Sequence, residues 1–445
     1  MDIAHPPLST KPLRYVFPHV DRVDLANGTT VYLIPRPDDD IVTLSIGIAT
    51  GSVHDEIVGE TAFTAELLSR GTTKLSPEDF AEAVESRGCS VRSSADRDGT
   101  SIVGVGLGEY VDDLVDLTVD ACCEPLFDSF EIDRHRQRRL ADYTVNISDP
   151  DYLANRAAST AIYAGNGYEH PRDGTITSLP LLNTDVLRRV HQRMMAAPRF
   201  VIAAGAFDRD RMLSKLETTL GTLPTPTFDP TVPQSRRRER TAIIAPKDDA
   251  VQSVIRIGLP CVGLAHEAYP AVQLLTEVLG GYQLARLFTV LRETKGYTYG
   301  AYAYNDVRKF GSSTIITTSV GNDFSVDTIA TIVEEVDKLR NVDIDADELF
   351  NARQALLGQF ARSGETPQQT AGLVATIHQH GLRDDYFTRL VDQLQRLEND
   401  EFRAVREQIF DSTTMAIAVS GREDVVCSAV ANFVDTVELF DVTSA

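Results

Sequence analysis

At 445 residues with 42% hydrophobic content, the chain can bury sizeable cores and should divide into two or more domains; it is not a disordered polymer. A formal net charge of −22 argues against nucleic acid and anionic membrane surfaces as partners, and most of its carboxylates read as a solvated surface that maintains solubility. The longest apolar runs, Ile41 to Ala49 and Met415 to Val419, fall far short of the ~20 residues a membrane helix needs, so no membrane span is expected.

Met1 to Tyr15 lacks the basic region and apolar core of a secretory signal, and the five cysteines (Cys89, Cys122, Cys123, Cys261, Cys427) form an odd set without a C-x-x-C pair. That combination predicts reduced, buried thiols and a cytoplasmic location. An apolar strand leads to a turn at Pro35-Arg36. In the strand that follows, Val42, Leu44, Ile46 and Ile48 alternate with Thr43, Ser45 and Gly47, the period-two pattern of a sheet with one buried face. A helical region follows, and the first half closes with the strand Val201 to Gly205 and a helix carrying Met212, Leu213, Leu216 and Leu220, which Asp208 can cap.

Thr222 to Thr241 holds Pro224, Pro226, Pro230 and Pro233, then Arg236, Arg237, Arg238 and Arg240, and reads as an extended, solvated linker. Beyond it the plan repeats. Pro246, Lys247, Asp249 and Gly258 match Pro35, Arg36, Asp38 and Gly47 at a constant offset of 211 positions, and Met415 to Val419 is a second closing strand. The expectation is an α+β fold of two homologous sandwich domains made by tandem duplication: residues 1–221, a linker at 222–241, and residues 242–445.

Two passages carry a family resemblance. The first is Gly51-Ser52-Val53-His54-Asp55-Glu56 followed by Gly59-Glu60-Thr61-Ala62-Phe63-Thr64-Ala65-Glu66-Leu67-Leu68-Ser69-Arg70-Gly71-Thr72. The second is Leu279-Gly280-Gly281, then Arg286-Leu287 and Leu291-Arg292-Glu293-Thr294-Lys295-Gly296-Tyr297-Thr298-Tyr299. Together they resemble the pitrilysin/insulinase family of inverted-motif zinc peptidases over almost the whole chain, in its two-domain, clam-shell layout.

An active member carries H-x-x-E-H on a helix, with two histidines for zinc and a glutamate as general base. Here the matching positions read Ala62-Phe63-Thr64-Ala65-Glu66, and the family's third ligand matches approximately Asp142. Methyl groups at Ala62 and Ala65 cannot ligate a metal, and Glu66 supplies a lone hard oxygen, so the resemblance implies no metal or other cofactor in this chain. Glu66 and Asp142 could face each other as a leftover acidic pair or as an ordinary polar contact. His378 and His380 stand on different helix faces, His54 is isolated in a turn, and His135, His170, His191 and His266 are scattered without a ligand spacing.

The resemblance also implies that the second half brings an arginine and a tyrosine, seven residues apart, to the active site. Arg292 and Tyr299 have that spacing. On residue type alone they could equally close a salt bridge and pack at a strand start. The substrate-binding edge strand matches about Arg92-Ser93-Ser94-Ala95, with Arg92 in place of a small polar residue, and Gly280-Gly281 belongs to the same substrate-binding set.

Taken together, the resemblance implies a non-catalytic subunit of a heterodimeric peptidase. Its partner would be a homologous subunit bearing the zinc, its ligands peptides, and Arg292 and Tyr299 would act in trans; a homodimer is conceivable in isolation. The rival expectation is a non-enzymatic scaffold or peptide-binding protein from the same family.

Overall fold

A computed structural model describes residues 12–441; residues 1–11 of the stretch read above for a targeting signal lie outside that range. The first half contributes β1 (Asp21–Asp24), β2 (Thr30–Pro35), β3 (Ile41–Ile48), β4 (Ser90–Ala95), β5 (Thr100–Leu107) and β6 (Arg199–Gly205). They form one sheet in the order β1-β2-β6-β3-β5-β4, in which only β2 and β6 run parallel. The second half contributes β7 (Thr241–Pro246), β8 (Gln252–Pro260), β9 (Ala301–Arg308), β10 (Gly311–Gly321), β11 (Ala416–Gly421) and β12 (Thr436–Leu439), in the order β12-β7-β11-β8-β10-β9. The two sheets share one plan, with β2, β3, β4, β5 and β6 equivalent to β7, β8, β9, β10 and β11. The outer strand differs: β1 precedes β2 and pairs antiparallel, whereas β12 comes last and pairs parallel with β7.

Each sheet packs one face against its own helices. In the first half, Val42, Leu44, Ile46 and Ile48 of β3 join Phe63, Leu114, Leu187 and Leu216 in a core that removes all of them from water. At ~25 cal/mol per Å² of apolar surface, this burial is the main stabilising term of the half. A corresponding core in the second half gathers Ile255, Ile257, Leu274, Ile332, Leu356 and Phe402.

The opposite face of each sheet is where the sequence reading fails. Thr43 and Gly47, expected to face solvent, are buried. The helix Pro367–Gln379 from the second half lays Ala371 and Val374 against Tyr32, Ile34, Phe200, Ile202 and Ala204 of the first sheet. Reciprocally, the helix Pro150–Ile162 from the first half packs Leu153, Ala157, Ala161 and Ile162 against Ile243, Ala245, Ala416 and Ala418 of the second. Both helices begin with proline after a side-chain cap, Asp149 in one and Thr366 in the other, so they are the same element of the repeat. Each crosses to cover the other half's sheet, and the central strands of both sheets are buried on two faces.

The proline- and arginine-rich connection is irregular and largely exposed, yet three of its arginines are engaged. Arg237 donates to the Thr414 carbonyl at 2.9 Å, Arg238 pairs with Glu438, and Arg240 grips Asp435 through Nε and Nη2 at 2.6 and 2.7 Å. The basic run fastens the segment along the second half, where acidic partners satisfy guanidinium groups that the sequence presents without them. All five cysteines are free thiols, and no helix among the described residues is long and apolar enough to cross a membrane.

Candidate functional site

The helix Glu60–Leu67, which carries the five motif positions, is fixed at its start by buried acid groups. Asp55 accepts the N–H groups of Gly59 and Thr61 at 2.9 and 3.1 Å. Burial pushes its carboxyl up to about 7, against those bonds. Glu60, fully buried, pairs with Arg189 and Arg193 at 3.0 Å each. Ala62 and Ala65 are buried as small packing residues, and Glu66 stands at the edge of a cavity of about 770 Å³.

What Glu66 meets there is a cation. Arg139, on the helix Ser129–Asn146, hydrogen-bonds Glu66 Oε1 and reaches Asp173 at 3.2 Å through its other nitrogen. His135, one turn earlier on that helix, places Nε2 3.0 Å from Glu66 Oε2 and its ring edge-on to Phe63 at 4.6 Å. Burial raises the Glu66 carboxyl, but the His135 contact and the Arg139 charge outweigh it and hold the group below its ordinary value. Asp142 lines the same cavity as an exposed residue and, among the described residues, makes no hydrogen bond to Glu66.

This donor set does not suit zinc. Two of its positions are methyl groups, and the remaining carboxylate is engaged by a guanidinium whose positive charge occupies the electrostatic place of an ion. Among the described residues, no group of three or more His, Cys, Asp or Glu side chains is arranged to hold a metal.

Beside the cavity runs β4, which among the described residues pairs only with β5 and has no strand on its other edge. Arg92 and Ser93 both line the cavity, and Ser93 Oγ donates to Ser69 Oγ at 3.1 Å. An open strand edge next to a cavity can add an extended peptide as a further strand, with alternate side chains entering the cavity.

The other sequence-selected residues lie in the second half. Gly280 sits within the π-helical turn Glu277–Gly281, where β9 passes so closely that a Cβ would lie 2.4 Å from the Ala303 nitrogen. A Cβ on Gly281 would lie 2.2 Å from the Glu277 carboxylate. Gly280 therefore has a packing reason to be glycine, because backbone lies against it, whereas at Gly281 the neighbour is the end of a side chain that can shift. Arg292, in the π-helical turn Thr289–Thr294, stacks its guanidinium over Phe288 at 4.7 Å and lies 3.4 Å from Glu293.

The segment after it is anchored on both sides of Tyr299. Tyr297 stacks on Phe324 at 4.2 Å, and the Gly300 carbonyl accepts hydrogen bonds from the hydroxyls of Thr298 and Thr318. Tyr299 itself is 91% exposed and does not pack at the strand start. The structure thus brings Glu66, Asp142, Arg92 and Ser93 to one cavity, while Arg292, Tyr299, Gly280 and Gly281 are not among its lining. Sequence reasoning missed His135 and Arg139; the signal available was their spacing of four on one helix, which aligns them on one face.

A duplicated α+β unit, an open edge strand and a motif helix define a peptidase-like protein. Comparison with known proteins agrees. The model described as "Insulinase (Peptidase family M16)" matches residues 30–175, and "Peptidase M16 inactive domain" matches residues 182–356. Together these two models of one family take in well over half of the chain, which belongs to peptidase family M16.

Among its relatives is an uncharacterized zinc protease of Bacillus subtilis, 24% identical over 78% of this chain and 85% of that protein. Another is an uncharacterized zinc protease of Streptomyces coelicolor, 25% identical over 64% of each chain. The alpha subunit of the mitochondrial-processing peptidase of Solanum tuberosum is 25% identical over 45% of this chain and 40% of that subunit. In fold, the chain is similar to a peptidase M16 inactive domain from Pseudomonas fluorescens, with TM-score 0.84, 19% identity, and coverage of 91% of this chain and 98% of that one. A protease from Helicobacter pylori gives TM-score 0.82 at 17% identity, covering 91% and 100%. The two-domain α+β architecture is that of these solved structures.

Proposed function

We propose that this chain is the non-catalytic subunit of a heterodimeric zinc metallopeptidase, with peptidase-like halves at residues 1–221 and 242–445 joined by 222–241. The carrying observation is the replacement at the motif helix: Ala62 and Ala65 are core methyl groups, and Arg139 holds Glu66 where a metal's charge would stand. The zinc would then belong to a homologous partner, where it would supply the activation of water for attack on the peptide carbonyl.

Arg292 and Tyr299 act from this chain on that partner's site. The guanidinium of Arg292 offers a fork of donors to a substrate carbonyl. The Tyr299 hydroxyl donates a hydrogen bond to the oxygen that gains negative charge. Its exposure on an anchored turn supports a role completed by another chain. The edge of β4, with Arg92 and Ser93, binds the extended peptide, and Gly280 and Gly281 shape the second-half turn. Free thiols throughout suit a reducing cytoplasm.

Coexpression with a zinc-bearing homologue tests this reading. A stable complex that hydrolyses peptides, from two chains that are separately inactive, is the expected result. A partner equally active alone overturns the shared site, and a complex without peptidase activity favours the scaffold reading.

A further inference from the structure

The cavity beside β4 carries positive charge that the shared-site reading does not use. Arg134 and Arg138 stand four residues apart on one face of the helix Ser129–Asn146, and Arg70 lies just beyond the end of the motif helix. These three guanidinium groups line both the 770 Å³ cavity and an adjoining one of about 380 Å³. The carboxylate common to the two cavities is Glu131, and Arg134 takes it at 2.5 Å.

Arg70 and Arg138 have no ion pair among the described residues, in a chain with 65 acidic residues against 43 basic ones. Arg92 adds a further guanidinium from β4. Glu66, Glu78, Glu85 and Asp142 line only the larger cavity, so in the lining the two cavities share, three guanidinium groups face the single carboxylate of Glu131, and this shared part is the cationic end of the cleft.

We propose that the cationic end is a carboxylate-binding subsite that takes an acidic side chain of a peptide laid along β4. The inference rests on the peptide-binding reading above and adds the substrate class to it. Guanidinium forks match a carboxylate in plane and pair with it bidentately, and Arg70 and Arg138 keep their donors uncommitted to other carboxylates. A strand added to β4 points alternate side chains to the same face, which sets which peptide position enters the subsite.

The experiment titrates fluorescent, C-terminally amidated peptides onto the full chain, in pairs that differ only by Glu or Gln at one position. Amidation leaves the side chain as the peptide's variable carboxylate. The Glu peptide should bind about tenfold tighter at low salt, and the preference should shrink as salt screens it. In the Arg70→Ala/Arg138→Ala double variant, which removes two exposed side chains without ion pairs, the two peptides should bind alike. Equal binding of both peptides to the native chain overturns the subsite and leaves the peptide-binding reading standing. A Glu preference that survives the double variant places the selectivity elsewhere and also overturns it. Binding of neither peptide overturns both.

Discussion

The Asp98 carboxylate accepts the backbone N–H of Lys309 at 3.1 Å, joining the tip of the β4–β5 hairpin to the tip of the β9–β10 hairpin. The two residues occupy equivalent positions of the internal repeat, at the same offset that relates Pro35 to Pro246. The equivalent edge hairpins therefore meet end to end. Tyr168, fully buried, completes the junction by donating its hydroxyl proton to Asp98 while accepting the Phe310 N–H at 3.2 Å.

Removing the acceptor should loosen this junction. Asp98→Ala strands the buried Tyr168 hydroxyl and the Lys309 N–H together, which should cost about 1–3 kcal/mol. Urea unfolding of the variant should show the loss. Asp98→Asn, which keeps an acceptor oxygen, should recover part of it.

Arg139→Ala should destabilise the first half by roughly 1–3 kcal/mol at neutral pH, because it leaves a half-buried Glu66 carboxylate with only His135 beside it. The folded-state value of Glu66 lies below its unfolded value, so its stabilising contribution is present above the unfolded value and is lost as pH falls through the folded one. The gap between native chain and variant should accordingly narrow under acid conditions. An unchanged gap across that range would show that the Arg139 effect is packing alone.

Glu277 titrates with the opposite sign. It is 7% exposed, its hydrogen-bond partner is the neutral Gln359 amide at 3.3 Å, and burial pushes its carboxyl up to about 7. Its folded value is raised, so the favourable contribution is full below the ordinary carboxylate range and disappears as pH rises through about 7. Glu277→Gln should therefore gain about 1–2 kcal/mol relative to the native chain above neutrality and little in acid. Thermal unfolding at pH values on either side of 7 measures the difference.

In an active complex with a zinc-bearing partner, Tyr299→Phe should lower kcat by about 10²–10³-fold, the usual cost of losing one oxyanion donor. The substitution removes only a hydroxyl that is exposed in this chain, so complex formation should be unaffected. Arg292→Ala should raise KM as well, since a substrate-carbonyl contact acts before the transition state. Silence of both substitutions would remove the catalytic role from this chain.

Much of the fold was legible because it rests on local patterns. The period-two run in β3 faithfully marked its core face, Asp208 caps the helix Arg209–Thr218 as its position implied, and the offset of 211 positions exposed the duplication. The second buried face was not legible, because the Phe200 ring lies over Gly47 and the helix packed on that face comes from more than 300 positions away and carries no mark of its destination. At the site, the sequence showed that Ala62 and Ala65 cannot ligate a metal, since that follows from the chemistry of a methyl group. It could not show that Arg139 would hold Glu66, or that Arg237, Arg238 and Arg240 would fasten the connecting segment. Residue type fixes what a side chain can donate or accept, whereas its partner depends on packing between elements distant in the chain, and here only the tertiary structure decided it.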